Sequence, residues 1–134
     1  MRKILLFLMI AYSSALMAQY SARFVVTSVA TRSNEDIYLS GTFNNWNPQD
    51  PQYKLKPFSG GRKSIVLINM APGTYAFKFS RGQNKQESTA DGRDIAERII
   101  EISGDVSNEF VIEGWKDDYP EKPKAFTASP QVKL

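Results

Sequence analysis

The chain has 134 residues, enough for one domain and too few for two. It contains no histidine and no cysteine, which removes the commonest general base, the commonest metal ligand, thiolate chemistry and disulfides. Its 17 basic and 14 acidic residues are scattered rather than clustered, so a nucleic-acid surface has no support.

Arg2 and Lys3 form a short basic start, Ile4 to Ala11 is almost continuously apolar, and Ser13 to Ala18 supplies small residues suited to peptidase cleavage. The apolar run is about half the length that a membrane span requires. Residues 1–18 therefore read as a cleaved secretory signal, with Gln19 as the new N-terminus and no membrane span left after cleavage. Without Arg2 and Lys3 the chain carries 15 basic residues against 14 acidic ones, a net of +1. An export signal without cysteines places the protein in a bacterial envelope, periplasmic or extracellular, and excludes a lipid anchor on cysteine.

Seven strands follow in order. Tyr20–Val29 is the first, with Phe24, Val25, Val26 and Val29 in it, and Glu35–Thr42 is the second. The second runs into Gly41-Thr42-Phe43-Asn44-Asn45-Trp46-Asn47-Pro48, a loop of turn formers around one tryptophan. Prolines 48 and 51 exclude a regular strand or helix just after it. Tyr53–Pro57 alternates apolar and basic side chains, as a half-buried strand does. Ser64–Met70 is the fourth strand, and Ala71-Pro72-Gly73 is a tight turn of the kind that joins antiparallel neighbours.

Gly73–Phe79 carries Tyr75, Phe77 and Phe79 at every second position, which should face the core and leave Lys78 on the other side. Arg81–Asp94 reads as a long polar loop with room for a short ribbon. Arg98–Ile102 and Asn108–Ile112, joined at Ser103-Gly104-Asp105, complete the set. Strands at this spacing, with no helix signal, predict an all-β, immunoglobulin-like antiparallel sandwich over residues 19–115. The charged, proline-broken stretch over 116–134 reads as a flexible tail or linker.

Catalysis has little to work with. No Gly-x-Ser-x-Gly elbow occurs, and a sandwich this small has little room for a cleft between paired carboxylates. Asp91, Asp94 and Glu97 near Gly92 lack the spacing of a calcium loop and read as a solvated turn, so no catalytic residue, metal or cofactor is expected. Trp46 has two readings. It plugs the end of the core, the commoner fate of an aromatic, or it presents a flat apolar face with Asn44, Asn45 and Asn47 beside it. The second arrangement suits a sugar, whose ring has a C–H face and a rim of hydroxyls.

The stretch Ile37-Tyr38-Leu39-Ser40-Gly41-Thr42-Phe43-Asn44-Asn45-Trp46 resembles the signature of starch- and glycogen-binding modules, carbohydrate-binding module families 48 and 20. These include the glycogen-binding domain of the AMP-activated protein kinase beta subunit. The resemblance continues through Leu67–Tyr75, Tyr75–Phe79 and Ala96–Ile100, and covers roughly residues 22 to 115. It implies a non-catalytic α-glucan-binding module whose first stacking Trp is Trp46 and whose sugar-contacting lysine is Lys78. The family's second stacking Trp falls on Asn84, next to Gln83, and its asparagine falls on Glu97. With the resemblance counted, plug and platform stand level for Trp46.

Losing one of two stacking platforms weakens binding by about tenfold to a hundredfold, on the scale of roughly 1–3 kcal/mol per stack borrowed from nucleic acids. The two replacements also keep a second reading open, a protein-interaction or scaffold module of the same fold that has lost the sugar. A third comes from Gly114-Trp115-Lys116-Asp117 and Thr127–Val132, which resemble the linker of bacterial esterases where such a module precedes an α/β-hydrolase.

Overall fold

The structure, a computed structural model, describes residues 18–119. The expected leader, Ala18 apart, and the tail beyond Tyr119 lie outside the described residues. Those residues form an all-β sandwich. One sheet has the strand order β3-β4-β1-β8, from Lys56–Phe58, Arg62–Met70, Tyr20–Val29 and Val106–Ile112. The other has the order β2-β5-β7, from Tyr38–Gly41, Gly73–Ser80 and Arg98–Ile102. A two-stranded ribbon, β6 (Glu87–Ser88) with β9 (Gly114–Trp115), closes one end.

All seven expected strands are present, and the ribbon adds two more. The second and third are shorter than expected: Asp36 and Ile37 precede β2, and Tyr53 belongs to a 3-10 turn over Pro51–Tyr53. That turn stands where the prolines had argued against any regular element. Pro51 fits because it sits at the turn's first position, where no N–H is needed, and the Asp50 carboxylate accepts from Gln52 N.

Two short connections differ more sharply from expectation. Ala71-Pro72-Gly73 was expected to join antiparallel neighbours and Ser103-Gly104-Asp105 to be a simple turn, yet each crosses from one sheet to the other. The cause is burial on both sides of the core. Phe77 and Phe79 of β5 and Phe24 and Val26 of β1 are fully or almost fully buried, and they meet only if the two sheets lie face to face. The sandwich is also not wholly antiparallel. β1 pairs antiparallel with β4 and parallel with β8, Phe24 lying opposite Asn108 and Val26 opposite Phe110. β8 arrives by crossing over from β7, so it enters running the same way as β1.

The core is aromatic. Phe24 and Phe77 meet edge to face at 5.1 Å, and Phe110 packs on Phe24, Phe77 and Phe79 at 5.4–6.0 Å. Such pairs add roughly 0.5–1.5 kcal/mol each beyond the area they bury. Trp115 is the largest buried side chain, and its indole N–H donates to Thr31 O at 3.0 Å.

The expected tail does not begin at Lys116. Lys116–Asp118 form a 3-10 turn, the Tyr119 hydroxyl donates to Ala90 O, and Asp117 and Asp118 tie back to the body. Arg81, almost fully buried, stacks its guanidinium 5.1 Å from the Trp115 ring and bridges Asp117 at 2.8 Å and Glu35 at 3.1 Å. Asp118 accepts from Thr31 at 2.8 Å and Arg32 at 2.7 Å.

Glu87 is buried to 1% exposure and takes three donors at 2.9 Å: Phe79 N, Arg98 Nε and Arg98 Nη2. The Arg98 guanidinium in turn covers the rings of Phe79 and Phe110.

Glu87→Ala strands the Arg98 charge and the Phe79 N–H, and should cost about 3–5 kcal/mol in denaturant unfolding. A loss below about 1 kcal/mol would mean the pair is not buried as described. The carboxyls of Glu35, held by Arg81, and Asp118, held by Thr31 and Arg32, titrate below the ordinary carboxylate range. Their folded values are depressed, so their stabilisation is complete above the unfolded value near about 4 and is lost as pH falls through the lower folded values. The melting temperature should therefore drop on acidification in that window, and Arg81→Met should flatten the drop.

Candidate functional site

The site is built on the outer face of the β2-β5-β7 sheet. Alternation along β5 buries Phe77 and Phe79 and turns Lys78 outward, as expected. Register sets Ser40 of β2 opposite Lys78, and Ser80 lies two residues further along the same face. On the other side Phe77 pairs with Arg98, which carries Glu97, the residue just before β7, alongside Lys78.

The loop after β2 supplies the aromatic wall. Asn44 is folded back into it: its Oδ1 accepts from Gly41 N at 2.9 Å and its Nδ2 donates to Leu39 O at 3.0 Å. Trp46 N donates to Gly41 O at 2.9 Å, closing the loop. Asn45 and Trp46 are both left-handed, with φ of 54° and 58°. Asn tolerates this conformation, whereas for Trp it costs on the order of 1–2 kcal/mol. Gly41 is fixed by space, because a Cβ there would lie 2.5 Å from Ala76 O. Such strain persists only where the surrounding contacts over-determine the backbone, as the bonds from Asn44 and Trp46 N do here.

Burial separates the two fates of the tryptophans. Trp115 is the core plug. Trp46 is 36% exposed and does not belong to the core cluster. The plug role in its own loop falls to Phe43, which stacks on Tyr53 at 5.3 Å with an interplanar angle of 6°.

A cleft of about 420 Å³ opens between Trp46 and the sheet. Five of the seven sequence-derived candidates border it: Trp46, Lys78, Gln83, Asn84 and Glu97. Two do not. Asn44 is committed to the backbone hydrogen bonds of its own loop, and Asn45 serves the left-handed turn with its side chain in solvent outside the cleft. Four further lining residues went unread in the sequence: Ser40, Pro48, Ser80 and Gln86. Ser80 was legible from the period-2 alternation beyond Lys78. Gln86 was not, because it arrives through a single bridge to Ser80 out of the polar loop.

That loop is a tight turn. Arg81 N donates to Lys85 O at 3.0 Å, Lys85 N to Gly82 O at 3.1 Å, and Ser80 Oγ bonds both the N–H and the carbonyl of Gly82. Asn84 takes the left-handed position with φ of 61°, which gives its identity a backbone reason. The turn leans on the Trp46 loop, since Gln49 Oε1 lies 3.4 Å from where a Gly82 Cβ would be.

Lys78 and Glu97 border the cleft without an ion-pair partner among the described residues. The cleft thus offers one aromatic face, one ammonium with three donors, one acceptor-only carboxylate and three amides. No group of three or more acidic side chains suited to a metal occurs among the described residues.

Over 90 residues, 66% of its length, the chain is 34% identical to an alpha-amylase from Niallia circulans, and the matched part spans 7% of that protein. No protein-family model matches. Among solved structures, a DUF3823 family protein from Parabacteroides merdae is similar over 70% of this chain and 46% of its own, with 12% identity and a TM-score of 0.36.

Asn44→Ala removes the clamp that holds the strained loop and leaves Gly41 N without an acceptor. It should cost about 1–3 kcal/mol in thermal or denaturant unfolding. Asn45→Gly keeps the left-handed backbone and should stay within about 0.5 kcal/mol of the parent. Equal effects from the two would contradict the division of labour between them.

Proposed function

We propose that the cleft binds α-glucan chains and that the protein is a non-catalytic, exported module, periplasmic or extracellular, of the starch- and glycogen-binding kind. The observation that carries this reading is the exposed Trp46 ring, held out by a strained backbone beside the unpaired Lys78. A glucose ring stacks its C–H face on the indole, Lys78 donates to ring hydroxyls, Glu97 accepts from them, and Gln83 and Asn84 close the side. The partial similarity to an alpha-amylase, whose name denotes an enzyme acting on α-glucans, supports the choice of sugar. Export rests on the character of residues 1–18.

A second reading is favoured by one observation, that Asn84 stands where the resemblance calls for another aromatic. In that reading the fold is kept as a protein-interaction module without sugar. Calorimetric titration of the protein with maltoheptaose separates the two. Binding that weakens by about tenfold to a hundredfold in Trp46→Ala supports the glucan site. The same variant should melt within about 0.5 kcal/mol of the parent, because the ring lies outside the core. No heat and no change in tryptophan fluorescence at millimolar maltoheptaose would overturn it.

A further inference from the structure

We propose that the open edge of β4 is a docking site for an extended acidic peptide, which adds to the β3-β4-β1-β8 sheet as a further strand. This edge belongs to the sheet opposite the cleft, and the inference is independent of sugar binding. β3 covers only Arg62–Ser64 of β4, whereas β1 is laddered along its other side from Lys63 to Met70. From Ile65 onward no strand among the described residues pairs with the outer edge of β4. Unpaired N–H and C=O groups in a row are a template for strand addition.

A groove runs beside this edge. One stretch, about 470 Å³, lies between Ile65 and Val66 on one side and Lys54 and Lys56 on the other. A second, about 410 Å³, continues past Ile68 to Ala71 over Tyr53 and Tyr75. Gln52 and Val66 border both stretches, so the groove is continuous. Val66 and Ile68 stand two residues apart on one face, 51% and 69% exposed. Proteins normally blunt a free edge with charge or proline, and here it carries apolar side chains instead. Asn69, left-handed with φ of 58°, bends the strand and limits the usable ladder to Ile65–Ile68.

Charge selects the occupant. No aspartate or glutamate lines either stretch. Lys54 shares its charge with Asp36 at 3.2 Å, while Lys56 has no carboxylate partner among the described residues. Beyond it Arg62 and Arg23 flank the Phe58 ring at 4.5 and 5.4 Å. A strand that alternates apolar and acidic residues sets its apolar side over Val66 and Ile68 and its carboxylates toward these cations. The chain's own residues 120–134 have the wrong sign, with Lys122, Lys124 and Lys133 against Glu121.

The test is amide hydrogen exchange, read by NMR, with two peptides of roughly eight residues, one alternating valine and glutamate, the other valine and lysine. The acidic peptide should slow exchange among Ile65–Ile68 by at least about tenfold, and the basic one should not. Ile68→Glu, at a site exposed enough to leave the fold intact, removes an apolar contact and repels an acidic strand, and should abolish the effect. The proposal is overturned if the acidic peptide gives no slowing or if both peptides protect alike. It is overturned equally if protection appears without peptide and grows with protein concentration, which assigns the edge to a second copy.

Discussion

The cleft depends on one buried carboxylate. Glu87 follows directly on the turn that carries Gln83, Asn84 and Gln86, and its partner Arg98 follows directly on Glu97. By accepting from Arg98 and from Phe79 N at once, Glu87 adds side-chain ties between β5, the strand that carries Lys78, and two segments that already pair with it through Arg98 and Gln86. Buried ion pairs add little stability against an apolar replacement, and their use lies more often in fixing one arrangement among several. Here the arrangement fixed is the spacing of the cleft's two far walls.

The Trp46 wall is held by a different device. Backbone hydrogen bonds from Gly41, the Asn44 amide and the Phe43–Tyr53 stack all converge on eight residues of loop. They hold a tryptophan in a backbone conformation it does not favour, and so fix where its ring leaves the loop.

Strand positions were legible because a half-buried strand alternates, and Tyr75, Phe77 and Phe79 state their side of the sheet outright. Which strands pair was not legible. A turn such as Ala71-Pro72-Gly73 has the same composition whether it closes a hairpin or crosses the core, and only the packing of Phe24 on Phe77 decides it. Of the residues that border the cleft, Trp46 and Lys78 were legible from motif and alternation. The backbone role of Asn44 was not legible, because an amide beside a tryptophan looks alike whether it bonds a ligand or its own loop. Trp115 and Arg81 were passed over for a related reason: the polar stretch around each gives no sign that Glu35, more than forty residues earlier, comes to meet Arg81.

The parallel pairing of β1 with β8 also bears on when the domain can form. Tyr20–Val29 is the first strand made and Val106–Ile112 almost the last, so the central strand of the larger sheet waits for nearly the whole chain before its second neighbour exists. Trp115, which completes the core, comes later still. Closing so long a loop early is entropically unfavourable, and sheets dominated by such distant pairings fold in about milliseconds to seconds rather than microseconds. A chain wired this way leaves one side of its central strand β1 open for as long as the C-terminal strand is missing.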